Sequence, residues 1–476
     1  MRTVNANGSR TAFGIAVFAG CLMMCAPVMA TVAYTYENDN KTYVATVTDA
    51  NTDMSSAAAA VLNGNSVTNF VLRGDYRLLV GSGMASSFTG DILIEGASTA
   101  DQKNLLVLGS SNAMGIDHGP GTITLQHGGL VPAHNTIIAK DVAFGLNHSD
   151  WGGRMLQVWE ARSVKVNGKI TTGNRNADII GYRNSNLTIA GGLEGNAGYA
   201  YFALYGGASV KIEDHPVNIK NGFYFRYTDA SSNYDSNGFQ GYVDFAVAGN
   251  SMGAVGWDTG TSSYRLRRYK IKTTADWAFN KSNMKVFVAY DGMWDLCGTS
   301  QRVGQFDVRM PDGANASVIT NSSETPATLY LGQIYNYSNT SLPADIRFGG
   351  NLSAVFEGNI YTTKVDHVMT AAGNLTVLGN GNYFSRLEFL ENGSWPNATN
   401  VTVSGNGKIT IANPNALGRR ANVNLKANSS LEIASGVTVC VKTLTVNGEL
   451  QHRGDYTFGS GTLRVSHPCG FQLRVR

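Results

Sequence analysis

The chain is poor in cysteine, in proline and in charge, and no long apolar run follows its first thirty residues. Each scarcity removes a class of protein. Only Cys297, Cys440 and Cys469 of the five cysteines lie beyond residue 30, which excludes a dense disulfide scaffold. A bridge between Cys440 and Cys469 would staple the C-terminal end; packed thiols are the alternative. No CxxC and no Cys/His pair has zinc spacing. Charged residues make up 15% of the chain, 37 basic against 34 acidic, so nothing steers the molecule toward nucleic acid or anionic lipid. Past residue 30 every apolar run is soon broken by Gly, Asn, Asp or Lys, well short of the ~20 residues of a spanning helix. No transmembrane segment is expected in the mature chain. The P-loop and the dinucleotide fingerprint are missing too, and no cofactor is expected.

The first thirty residues carry Arg2 and Arg10, an apolar stretch from Ala12 to Val28 and a small-residue exit at Val28-Met29-Ala30. That is the layout of a cleavable secretory signal. Residues 1–30 are expected to be removed, leaving a mature chain from Thr31, secreted or at the cell surface. The formal charge then falls from +3 to +1, because the two arginines go and no acid goes with them. The alternative takes Phe18-Ala19-Gly20-Cys21 as a lipobox and anchors the protein by a lipid on Cys21, although Phe is a poor first residue for it.

Against 10 prolines stand 55 glycines, with many Asn, Ser and Thr, a composition for short strands joined by tight turns. One helix is expected, Ser55 to Leu62, with Asp53 as its N-cap, inside an N-terminal cap region over residues 31–75. Elsewhere apolar-polar-apolar triplets recur, among them Ile123-Thr124-Leu125, Val164-Lys165-Val166, Leu187-Thr188-Ile189 and Val210-Lys211-Ile212, the period of half-buried strands. Val164, Leu187 and Val210 recur at one constant step, and Val401, Val423, Leu444 and Leu463 at similar, slightly shrinking ones. Ile409 to Leu431 repeats the step from Val401 to Val423. Self-similarity at such a period, in the low twenties, marks stacked coils that cannot bury their apolar faces singly. The fold expected over residues 31–465 is all-β, a right-handed parallel β-helix, or solenoid, followed by a tail over 466–476. Roughly twenty coils at ~4.8 Å each would make a rod on the order of 95 Å. Tandem β-sandwiches are the alternative, and Asn167-Gly168 and Asn406-Gly407 would serve them as hairpin turns.

Residues 403–465 run Val-Ser-Gly-Asn-Gly-Lys-Ile-Thr-Ile, then Asn415-Ala416-Leu417-Gly418, Val423-Asn424-Leu425, Ser430-Leu431-Glu432-Ile433 and a closing Gly461-Thr462-Leu463-Arg464-Val465. This stretch resembles the autotransporter-associated β-strand repeat. A second copy near the start has Phe88-Thr89-Gly90, Ile92-Leu93-Ile94, Leu106-Val107-Leu108-Gly109 and Asn112-Ala113-Met114-Gly115, and a fragment lies at Phe356-Glu357-Gly358. The resemblance covers about a third of the chain and implies a parallel β-helix passenger of an exported surface protein. It carries no catalytic residues across. Eleven residues follow Val465, and they hold no translocator barrel.

Candidate sites are few. His118, His127, His134 and His148 cluster with Asp117, Asp141 and Asp150, as a metal site would require, but without zincin spacing. Glu213-Asp214 are adjacent, so on a strand their carboxylates would face opposite ways, a poor catalytic dyad. Asn51-Thr52-Asp53 and Gly249-Asn250-Ser251-Met252-Gly253 spell fragments of hydrolase signatures without the surrounding pattern. Residues 199–294 are rich in aromatics while the regular step lapses, and are expected to widen the solenoid or bear an insertion. There Trp257, Tyr264, Trp277 and Trp294, with Arg265, Arg267 and Arg268, are candidates for a glycan platform; rings packed in the interior are the alternative. The expected role is that of a structural or adhesive protein, with glycan binding second and a polysaccharide lyase or hydrolase third. A polysaccharide or cell-surface component is the expected partner.

Overall fold

The structure is a computed structural model that describes residues 32–466 apart from residues 39, 49, 65 and 127 and segments 97–104, 146–154, 173–176, 196–198, 226–240, 258–268, 288–291, 309–316, 337–340, 343–345, 358–361 and 380–384. The signal segment and the tail after Ser466 therefore lie outside the described residues, with Cys21 and Cys469 among them.

The chain folds as a β-solenoid. Its spine is one ladder of 17 strands from Thr42–Val47 to Thr443–Val446, each pairing in parallel with the strand one coil away. Chain order within a coil runs from this first ladder to a second, which begins at Thr52–Asp53 and Leu78–Val80, and then to a third, from Thr136–Ile138 to Ile346–Gly350. From Ser341 onward the second position is taken by a five-stranded sheet ending at Ser430–Ile433. The alternation seen in the sequence is the alternation of burial. Val164 and Val166, Leu187 and Ile189, Val210 and Ile212 are buried, while Lys165, Thr188 and Lys211 face outward. Every coil thus adds several interior side chains, each stabilised by about 1.5–3 kcal/mol on leaving water.

The expected columns form. Val164 pairs with Leu187 and Leu187 with Val210, and the column runs on through Val243, Ile271, Trp294, Ile319 and Phe348. Val401, Val423 and Leu444 stack likewise, and Ile409 pairs with Leu431. Leu463 departs from its expected column, because it pairs with Val439 in the last coil rather than with Leu444. The ladder is also shorter than twenty coils, on the order of 75 Å at ~4.8 Å per strand. The reason is coil length: Ile219 pairs with Met252 and Ala254 with Lys285, steps much longer than that from Val164 to Leu187. Asn167-Gly168 is a coil corner, not a hairpin, and both backbone N–H groups donate to Ile138 O.

Antiparallel pairing is found at the two ends. Val32–Glu37 lies antiparallel on the first spine strand, with Tyr34 stacked on Tyr43 at 5.4 Å. At the other end Glu449–Leu450 returns on Thr443–Val446, and Gly454–Phe458 on Gly461–Val465. These strands occupy edges that would otherwise template pairing with another chain. The single α-helix among the described residues, Ser56–Asn63, takes the third position of the first coil and buries Ala58, Ala59 and Leu62. Its N-cap is Ser55, whose side chain accepts from Ala58 N at 3.1 Å. Asp53 is not the cap, because it is already committed to a strand pairing with Leu79.

Asn112-Ala113-Met114-Gly115 and Asn415-Ala416-Leu417-Gly418, far apart in sequence, fill the same place. Ala113–Gly115 is a one-turn 3-10 element in the third position, where Met114 N donates to Met84 O. Leu417 occupies the third position of its own coil and bridges Trp395, while Trp395 N donates to Ala416 O. In both, the small residue and its apolar neighbour are buried.

Candidate functional site

Of the four histidines expected at a metal site, His118 and His134 are among the described residues. His118 Nδ1 lies 2.9 Å from Asp117 Oδ1 on the surface, and His134 contributes its backbone carbonyl to Thr136 Oγ1. His127 and His148 lie outside the described residues. No group of three metal-capable side chains comes together among those described. Cys440 is half-buried, and its expected partner Cys469 is not described.

The hydrolase fragments have structural explanations. Asn250 stands in the interior: its Oδ1 accepts from Val217 N at 2.8 Å and its Nδ2 donates to Val247 O and Ala278 O. Ser251 opens a strand, where a nucleophile elbow would need a helix to follow. Asn51 Oδ1 accepts from Arg77 N, joining two coils. Glu213 follows the strand Ala208–Ile212 and accepts from Lys165 and Lys211 at 2.9 and 2.7 Å, which hold its carboxyl below the usual carboxylate range. Asp214 sits in the left-handed region at φ 61° with the same Lys165 ammonium 3.8 Å away, so this pair shares a cation instead of facing opposite ways.

The aromatic region divides into interior and surface. Trp294 is fully buried in the column of Val164, with its ring 5.7 Å from Phe279 and 6.4 Å from Phe306. Trp294 is therefore core, a correction to its place on a glycan platform. Phe202, Phe223, Phe245 and Phe306 are likewise fully buried. Tyr264, Arg265, Arg267 and Arg268 lie outside the described residues, as does the side chain of Trp257.

Trp277 is different. It occupies a corner between the third and first ladders, with φ 56°. Most other left-handed non-glycine positions among the described residues hold Asn, Asp or Ala, with Met114 and Cys297 as the exceptions, because this conformation is costly for a bulky side chain. Its backbone is fixed by Trp277 N donating to Ser300 O and its carbonyl accepting from Gly249 N. Its ring lies part-exposed on the outer surface, 5.7 Å from Tyr330 at an interplanar angle of 38°. The Arg302 guanidinium is over both, 5.8 Å from the Trp277 ring and 4.8 Å from the Tyr330 ring, and Arg302 Nε donates to Glu357 Oε1 at 2.7 Å. Arg302 pairs with Tyr330 across the ladder, and Tyr330 with Val355, so the four side chains come from four consecutive coils. Sequence reading found Trp277 and missed Arg302, Tyr330 and Glu357. The unequal steps that join them are the local coil lengths, which the triplets of other coils do not reveal.

A second network on the third ladder is structural. Asp295 is 1% exposed. Burial pushes its carboxyl up, but Lys270 at 2.9 Å and the Ser322 hydroxyl and N–H outweigh burial and bring it down to about 2. The neighbouring Cys297 thiol is pushed up to about 11 by burial and by the Asp295 charge, so it is a thiol and not a nucleophilic thiolate. No family model, curated protein or solved structure matches the chain.

Proposed function

We propose that the protein is an exported structural or adhesive solenoid, secreted or held at the cell surface. The observation that carries this reading is the continuous 17-strand ladder closed at both ends by antiparallel strands. A rod on the order of 75 Å with covered edges presents long side faces and stays a discrete particle, which suits a spacer or an adhesive surface. The signal-like segment before Thr31 and the likeness of residues 403–465 to autotransporter-associated repeats support export. Among the described residues no helix is long and apolar enough to cross a membrane.

The test is export of the full chain from a bacterium, read by cell fractionation and N-terminal sequencing, followed by adhesion of beads coated with the purified product to cells and polysaccharide surfaces. Processing after Ala30 with adhesion supports the reading. An unprocessed chain retained in the cytoplasm overturns it.

A further inference from the structure

We infer that Trp277, Arg302, Tyr330 and Glu357 form a binding site for a neutral polysaccharide laid along the rod axis. The inference deepens the adhesive reading by naming a ligand class and a place. Its chemistry begins with the two part-exposed rings, 5.7 Å apart and tilted by 38°, which offer flat apolar surfaces to the C–H faces of pyranose rings. Over one side of both rings lies the Arg302 guanidinium, 5.8 and 4.8 Å from their centroids, with several N–H donors and held at 2.7 Å to a carboxylate with several acceptor sites. Sugar hydroxyls need both partners.

The arrangement favours a chain over a single sugar. The side chains come from four consecutive coils and converge until the Trp277 and Tyr330 rings stand 5.7 Å apart, while the coils above and below repeat along the axis at ~4.8 Å, close to the length of one sugar ring in an extended polysaccharide. The charges favour a neutral ligand, because Arg302 already pairs with Glu357 and a uronate would have to displace that carboxylate. The local backbone points the same way: Trp277 is a bulky ring in a left-handed corner between the third and first ladders, where other coils place the smaller Asp214 and Cys297. The Trp277 ring is outside the buried core, to which Phe279 and Trp294 of the same region belong.

The experiment is affinity electrophoresis of the purified full chain in gels containing hydroxyethylcellulose, galactomannan or polygalacturonate, with thermal unfolding of each variant as a folding control. At least one neutral polysaccharide should retard the wild type. Trp277→Ala and Tyr330→Ala should each weaken that retardation tenfold or more, while Trp277→Phe retains most of it. Glu357→Gln releases Arg302 from its carboxylate and should raise the affinity for polygalacturonate relative to the neutral gels by about tenfold. Should an alanine variant fail to fold, Glu357→Gln decides alone, and an unchanged preference overturns the inference. No retardation by either neutral polysaccharide, retardation by polygalacturonate only, or unchanged retardation in folded alanine variants would also overturn it. Export and adhesion are scored separately by processing and bead binding, so this site can fail while the adhesive reading stands.

Discussion

The coils from Leu352 to Val446 and those from Val217 to Asn336 solve the same problem in different ways. In the first group the spine strands are short, as in Leu375–Leu378 and Asn422–Leu425, and Leu375, Val401, Val423 and Leu444 follow one another in the column. An asparagine ladder runs outside them: Asn400 Nδ2 donates to Asn374 Oδ1 at 2.7 Å, Asn422 Nδ2 to Asn400 Oδ1 at 3.1 Å, and Thr443 Oγ1 to Asn422 Oδ1. In the second group the first and second ladders merge into single long strands, such as Val217–Phe225 and Ala327–Asn336. Their bends are eased by bulges and by glycines whose Cβ would strike a neighbouring carbonyl, Asn221 O at Gly253 and Ser282 O at Gly304. Interior amides replace aliphatics there: Asn250 bonds to three backbone groups, and Gln301 accepts from Phe279 N while donating to Ala275 O. Small aliphatic coils repeat because each presents the next with the same cross-section. Coils lined with large rings differ from their neighbours, and polar side chains stitch the mismatch.

The sharpest way to break this contrast is at its largest side chain. Trp294→Ala should destabilise the middle coils by about 3–5 kcal/mol, against about 2 kcal/mol for Val423→Ala in the regular coils. Hydrogen exchange resolved by region reads both, and equal effects would remove the distinction between the two cores. Next comes Asn250→Ala, which leaves Val217 N and Ala278 O buried without this partner and should cost about 2–3 kcal/mol; an unchanged melting temperature would show that the amide is not the stitch.

Acid should act on the middle coils in particular. The Asp295 carboxyl is depressed from 3.8 to about 2, so its contribution, about 2 kcal/mol, is present above pH 4 and is lost as the pH falls toward 2. Melting followed across pH 2–5 should show that slope in the wild type and a shallower one in Asp295→Asn. The smallest effect belongs to the exposed asparagine ladder, where Asn400→Ala should cost about 0.5–1 kcal/mol. A loss of several kcal/mol there would mean that the regular coils, too, depend on polar stitching.

How much could be read in advance follows the same division. Where the step is constant, as at Val164, Leu187 and Val210, the sequence displays its register openly, and the parallel pairing matches it residue for residue. In the aromatic region the insertions change coil length, so periodicity gave no way to sort Trp294 into the core and Trp277 onto the surface. Helix capping shows a finer failure: Ser55 and Asp53 are equally suitable cap chemistry, and only the pairing of Asp53 with Leu79 chose between them.

What the sequence determined by itself is the class of fold, because alternation within triplets and recurrence between them are local properties that survive in any coil. The tertiary structure decided which distant residues meet. Arg302, Tyr330 and Glu357 join Trp277 through the accumulated lengths of the coils between them, a sum to which every intervening loop contributes, and no single segment of the chain encodes that sum.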